Sequence, residues 1–585
     1  MSDADFVDTL KWPDYVVIGV MLAISASIGI YYRFTGGKQK TTEEYFSADR
    51  AMSVAPLSLA LMVSFMSAVT VLGVSSENYN YGTQFLAIYF GYTLGTPVSL
   101  YLYLPVFFKL QKTSAYEYLE KRFGVVARLT ASIANSLQLL IYTGVVLYAP
   151  ALALEATTGL SGDLSVLLIG LICTFYSTVG GIKAVLVTDV FQGVLMLLAA
   201  VMVITFAAIN VEGGLAGIWQ LALDGNRVEL DNFSPDPTTR HSWWSLTIGG
   251  FCTFLTLYGV NQVQVQRLLT VGTLREAQMA MWGNWPFLTF LGISTSFSGL
   301  AIYAYYSKCD PIAAGQIASA DQLMPYFVME TAGHIPGLAG LFVATIFSAG
   351  LSTVSAMLNS LAAVTLEDYI KPSYAKCGRV FPDKHGALVG KILALVIGVI
   401  CVLIAFLAKH LGSLIQAALS ITGAVGGPVL GIFTLGMFFE SADEKGAVIG
   451  TLTSLAIVCW AAFGQPRPET VRLPVSTTGC NATLTTFANV EQSPPGDSSA
   501  FYLYRVSYMW YAPMGLVVAV IVGLAVSNFW RLWTKEPIAE LDPEYFTPPV
   551  ANRIRRRRAK AEKTISNQTL TTSYGSREAN QASPQ

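Results

Sequence analysis

Thr345–Asn359 reads TIFSAGLSTVSAMLN, inside an apolar segment, roughly 335–366, that exceeds the about 20 residues a bilayer crossing needs. At helical spacing Thr345, Ser348, Ser352, Ser355 and Asn359 share one narrow face, with Thr353 at its edge. A single Ser or Thr in a membrane helix usually serves as interhelical glue. Six polar residues on or beside one face ask for more, because lipid tolerates such a strip only against a neighbouring helix or a wet cavity. Neutral oxygens gathered at mid-membrane suit a small hard cation. The stretch is therefore read as a cation-coupling helix.

Composition agrees with a membrane class. The 585 residues are 53% hydrophobic and 12% charged, with mean hydropathy +0.51; a soluble domain carries about 25% charged residues. Thirteen spans can be drawn, at about 14–32, 53–75, 83–108, 129–156, 164–180, 186–209, 243–265, 279–306, 335–366, 390–408, 413–438, 446–463 and 510–530. The fold class expected is an all-α polytopic membrane protein. The acidic start, MSDADFVDTLKWPDY, lacks the basic n-region of a secretory signal, so residues 1–13 are expected outside. With that orientation, 28 of the 36 Lys and Arg fall on the cytoplasmic side, as the positive-inside rule requires.

The sequons at Asn232 and Asn481 then lie in the two long outer loops, while Asn567 stays inside. Of seven cysteines only Cys309 and Cys480 are placed outside, which makes them a disulfide candidate in an oxidising exterior. Residues 531–585, with Arg553, Arg555–Arg558, Lys560 and Lys563 clustered, are read as a disordered cytoplasmic tail whose cluster acts as a solvated anchor or touches anionic lipid. No nucleic-acid partner is expected.

Enzyme signatures are missing. The four histidines are isolated, and no paired carboxylates, metal-spaced Cys/His sets or nucleophile elbow are present. Two further segments are unusual. Pro56–Gly73 carries Ser64 and Ser67 on one face among β-branched and small residues, and 243–265 combines Gly249, Gly250 and Gly259 with Thr247, Thr253, Thr256 and Tyr258. Two interrupted helices five spans apart suit inverted five-helix repeats, whose breaks free carbonyls at mid-depth.

On these residues the sequence resembles the sodium/solute symporter family, solute carrier family five, from about Asp14 to Trp530. It is most similar to the animal branch of sodium-dependent monocarboxylate, multivitamin and iodide transporters. The stretches that carry the likeness are SFMSAVTVLG (64–73), YTGVVLYAPAL (142–152), FYSTVGGIKAVLVTDVFQ (175–192), YGVNQVQVQR (258–267), DQLMPY (321–326) and LSTVSAMLNSLAAVTLEDYIKP (351–372). The resemblance implies a LeuT-type 5+5 inverted repeat over about 53–438, with one extra N-terminal and two extra C-terminal helices around it.

It also implies a sodium site made by Val63, Met66, Ala349, Ser352 and Thr353, with Asp189 on the ion's path to the cytoplasm. The substrate residues it implies are Phe65, Ser67, Thr70, Tyr148, Thr256 and Thr422. Thr70 is similar to the monocarboxylate members, whereas the iodide carriers have glutamine there and serine at Gly426. The expected function is Na⁺-coupled import of a small organic monocarboxylate at the plasma membrane. The alternatives are a vitamin (biotin or pantothenate) or iodide-like anion carrier and, in another class, a solute-gated sensor or leak channel.

Overall fold

The computed structural model describes residues 10–34, 45–46, 50–382, 385–409, 412–466, 470–480, 501–535, 541–562 and 564. Regular structure among them is helical throughout. The helices are α1 (Trp12–Phe34), α2 (Val54–Phe65), α3 (Ala68–Tyr81), α4 (Thr83–Leu110), α5 (Glu117–Arg122), α6 (Val125–Thr158), α7 (Gly162–Asn210) and α8 (Gly214–Asp224). They continue as α9 (Trp243–Phe254), α10 (Gln262–Leu268), α11 (Leu274–Tyr305), α12 (Leu323–Ala332), α13 (Leu338–Val364), α14 (Gly386–Ala408), α15 (Leu414–Phe438), α16 (Glu444–Phe463), α17 (Tyr511–Thr534) and α18 (548–562). "Outer" and "inner" below follow the orientation expected from the sequence.

Among the described residues, nine helices are long and apolar enough to cross a membrane, ten with α2 and α3 taken as one bent span. By length and composition alone, that count does not reach the thirteen spans drawn. The first is a short apolar helix, Trp12–Ile28, and the seventh is interrupted by a π turn at Leu255–Gly259. The loop expected between 180 and 186 is helical backbone instead, within α7.

α13 sits at the centre, packed against α7, α6, α14 and α2. Its apolar window is 94% buried, against 39% in α14, whose Leu388, Ile392, Leu395, Val399 and Leu403 are exposed as a lipid-facing side would be. Gly350 lets α13 approach α6, since a Cβ there would stand 2.5 Å from the Pro150 ring. The outer end of α13 is fixed by buried Asp14, whose Oδ1 accepts from Gly340 N at 2.9 Å. The helix macrodipole favours a carboxylate at this N-terminal turn.

The tail expectation needs correction. Pro543–Tyr545 forms a 3-10 turn and 548–562 a helix. Thr547 N donates to Met437 O at 3.1 Å and the Tyr118 hydroxyl donates to Tyr545 O at 3.0 Å. Phe546, Val550, Ala551 and Ile554 are buried. Four apolar side chains on one face give this segment a packing energy that its dense charge conceals. Residues 565–585 lie outside the described residues, as does Asn481.

Candidate functional site

The first core helix is bent by 59° between α2 and α3. Met66 leaves helical geometry at φ −81°, ψ 88°, and Ser67 restarts the chain as the N-cap of α3. Ser67 Oγ accepts from Val69 N at 3.2 Å, while Thr70 Oγ1 accepts from Ser67 N at 3.3 Å and reaches Phe65 O at 3.4 Å. These two expected substrate residues thus make the cap that stabilises the break, satisfying amides that have no intrahelical partner.

The break leaves the carbonyls at the end of α2 facing α13. Thr353 Oγ1 lies 3.2 Å from Val63 O and 3.3 Å from Ala349 O, so three of the five expected cation ligands converge on one point. Ser352, one residue earlier, turns its hydroxyl to Asp189 of α7. Among the described residues no hydrogen bond joins Met66 to this cluster; its amide is spent on Met62 O. Thr345, Ser348, Ser352, Thr353, Ser355 and Asn359 are all buried. The hydroxyl stripe therefore faces protein.

Asp189 is tied in a way the sequence did not disclose. Arg267 of α10 reaches Asp189 Oδ2 at 2.5 Å and Ala60 O of α2 at 3.0 Å through the same nitrogen. The glutamines of QVQVQR lock the inner side alongside it. Gln264 donates to Leu61 O at 2.9 Å, Gln266 donates to Phe46 O at 2.9 Å and accepts from Ser360 at 3.1 Å, and Gln262 spans Thr113 O and Ala115 N. The inner halves of the two broken helices, α2 and α10, are thereby clasped below the Val63–Thr353 cluster. The ladder shows only as alternating glutamines at a span end, and Arg267 as one more positive-inside charge.

Beside the cluster, Phe65 stands between Tyr142 and Tyr258, with ring centroids 6.5 and 5.9 Å away. Thr256, in the π turn, faces Gly426 of α15: a Cβ built at Gly426 would be 2.1 Å from Thr256 Cγ2 and 3.5 Å from Gln138 Oε1. Thr256 Oγ1 and Gln138 Oε1 are buried without a hydrogen-bond partner among the described residues. Thr422 is buried one helical turn before Gly426 on α15. Tyr148 is only half-buried, further along α6 toward the outer end, near Asp321. The gathered side chains are neutral, and Gln138, Tyr142 and Tyr258 join the expected set. A polar residue four positions before Tyr142 was the available signal for Gln138.

Charges close the outer side. Arg240 donates to Glu77 of α3 at 2.8 Å and to Gln416 of α15 at 2.9 Å. His241 lies 3.1 Å from the same carboxylate and is held below its usual pKa by burial, which disfavours its charged form. Asp321 accepts from Ser76 at 3.0 Å and from Leu414 N at 3.1 Å, joining α3 to α15. Burial pushes it up to about 6. Cys309 and Cys480 form a disulfide, Cα atoms 5.0 Å apart, and Asn232 sits partly exposed in the outer segment before α9.

The model of the Sodium:solute symporter family matches residues 45–454. The chain is 50% identical over 563 residues to a putative sodium-dependent multivitamin transporter of Drosophila melanogaster, covering 94% of this chain and 93% of that protein. It is 41% identical to the human sodium-coupled monocarboxylate transporter 1, over 91% and 89% of the two chains. A solved structure of a substrate-bound, outward-open Na⁺-coupled sialic acid symporter superposes with a TM-score of 0.74 at 24% identity, covering 89% of this chain and 98% of that one. The chain belongs to the sodium:solute symporter family and is a sodium-coupled solute symporter with the LeuT-type helical fold.

Proposed function

We propose that the chain imports a small organic monocarboxylate with Na⁺ across the plasma membrane, its N-terminus outside and its C-terminus in the cytoplasm. The observation that carries this reading is the pair Thr256 Oγ1 and Gln138 Oε1, buried among neutral side chains with no hydrogen-bond partner among the described residues. A buried polar group without a partner costs about 1–3 kcal/mol. A carboxylate that accepts from the Thr256 hydroxyl removes that cost at Thr256, while Gln138 Oε1, an acceptor, calls for a donor elsewhere on the solute. No side chain gathered there is cationic, so the anion's charge is offset by sodium on the neighbouring oxygens. Substrate and ion thus stabilise each other.

Sodium on Val63, Met66, Ala349, Ser352 and Thr353 ties α2 to α13. Its departure past Asp189 frees Ser352 and loosens the Arg267 clasp, which opens the inner side. Since moving one charge is worth about 2.3 kcal/mol per 100 mV, the membrane potential drives uptake only if more than one Na⁺ accompanies each monoanion.

A second reading, a vitamin carboxylate such as biotin or pantothenate, is favoured by the higher identity to the fly protein. The two share a carboxylate and differ in what else the pocket must admit. Uptake into oocytes of lactate, nicotinate, biotin, pantothenate and iodide, in Na⁺ and in choline, separates them. Sodium-dependent accumulation of lactate or nicotinate is expected. Accumulation of biotin and pantothenate alone moves the reading to the vitamins, and ligand-dependent current without accumulation makes the chain a sensor or leak channel.

A further inference from the structure

The basic face of α18 is not used by the transport site. Arg553, Arg556, Arg557 and Lys560 recur at i, i+3, i+4 and i+7, so they line one side of the helix. With Pro549 and Asn552 they border an open cavity of about 500 Å³. The apolar side, Val550, Ala551 and Ile554, is buried with Phe546. Arg557 pairs with Glu440, whereas Arg553, Arg556 and Lys560 are exposed with no charged partner among the described residues. Like charges at this spacing repel and destabilise a helix. A face that keeps them together calls for a polyanion.

Position says which one. α18 begins some thirteen residues beyond the end of α17, too far along the chain for its charges to act as a stop signal for that span. It is nevertheless held at the ends of the spans, through Thr547 N to Met437 O near the end of α15 and through Glu440 before α16. Amphipathic helices with a basic face placed at a membrane surface collect anionic lipid. Guanidinium groups in particular suit phosphate oxygens.

We propose that this face is a binding site for a phosphomonoester-bearing phospholipid headgroup of the inner leaflet. That the face meets the cytoplasm rests on the orientation proposed above, so the test uses detergent-solubilised full-length protein, with both faces accessible and no transport required. Binding of short-chain phosphatidylinositol 4,5-bisphosphate, phosphatidylserine and inorganic phosphate is measured by native mass spectrometry. A variant combining R553Q, R556Q and K560Q is compared with wild type and with R379Q, a basic residue elsewhere on the inner side. The bisphosphate lipid should be retained by wild type and R379Q and weakened at least tenfold in the triple variant, with sodium-dependent melting unchanged. If the triple variant does not fold, R556Q alone should weaken binding about threefold. Equal lipid binding by wild type and variant overturns the proposal. So does displacement of the lipid by equimolar inorganic phosphate or by a duplex oligonucleotide, which would make the face a general anion or nucleic-acid surface.

Discussion

Neutralising either member of the Asp189–Arg267 pair should cost far more than neutralising both. Asp189 is inaccessible and Arg267 is 2% exposed. Arg267→Gln therefore strands a carboxylate and Asp189→Asn a guanidinium, and losing one partner of such a buried pair costs about 3–5 kcal/mol. Ser352 still donates to Asp189 in the first variant, but a hydrogen bond to a charged group returns only about 1.5–3 kcal/mol and is already present in wild type. In the double variant no charge remains. A Gln amide at 267 has Ala60 O and the new Asn as neutral acceptors, so the loss falls to about 1–2 kcal/mol, the scale of an altered neutral hydrogen bond. The two single losses thus exceed the double by several kcal/mol, at or beyond the top of the coupling seen between contacting residues. Melting curves of purified protein in NaCl and in choline chloride, beside sodium-dependent uptake into proteoliposomes, measure the cycle. If the single losses sum to the double within about 0.5 kcal/mol, the pair is not the inner clasp inferred above.

Thr353→Val keeps the shape of the side chain and removes one candidate ion ligand. A loss of about 1.5–3 kcal/mol should raise the half-saturating Na⁺ concentration about 10- to 150-fold, with uptake at saturating Na⁺ retained; an unchanged sodium curve places the ion elsewhere. Asp321, raised by burial from 3.8 to about 6, stabilises the folded chain fully below pH about 4 and loses that contribution as pH rises through 6. Two pKa units correspond to about 3 kcal/mol, so Asp321→Asn should flatten the melting profile between pH 4 and 7, and an unaltered profile would clear Asp321 of the effect. Glycosidase should increase gel mobility, and Asn232→Gln with Asn481→Gln should abolish that shift; a persisting shift breaks the outer-loop assignment. Cys309→Ser with Cys480→Ser releases a crosslink spanning 171 residues, which typically costs about 2–5 kcal/mol and should lower the melting temperature of the oxidised protein but not of protein kept reduced.

How far the sequence could be read depended on whether a residue's environment repeats along the chain. The stripe on α13 was legible because six polar residues recur at helical spacing in an apolar span, and burial of all six follows from that period. Ser67 and Thr70 were legible as unusual but not as caps, since a hydroxyl near a break reads the same whether it meets a ligand or an amide. Arg267 was hidden by distance: its partner is 78 residues earlier, and only the fold joins them. The break drawn between 180 and 186 does not exist, since the backbone there stays helical. In α18 the spacing of Val550, Ala551 and Ile554, with Phe546 just before it, held a helix signal that five arginines outweighed.

The contact between Gly426 and Thr256 has a consequence for how cargo preference can drift within such proteins. A side chain at 426 needs the volume the Thr256 methyl now fills, so a serine placed there alone meets a collision before it offers its oxygen. On the proposed reading, trading one anion for another at this spot is a two-locus change. The viable order trims position 256 first, through an intermediate with a looser pocket that is permissive before it is selective again.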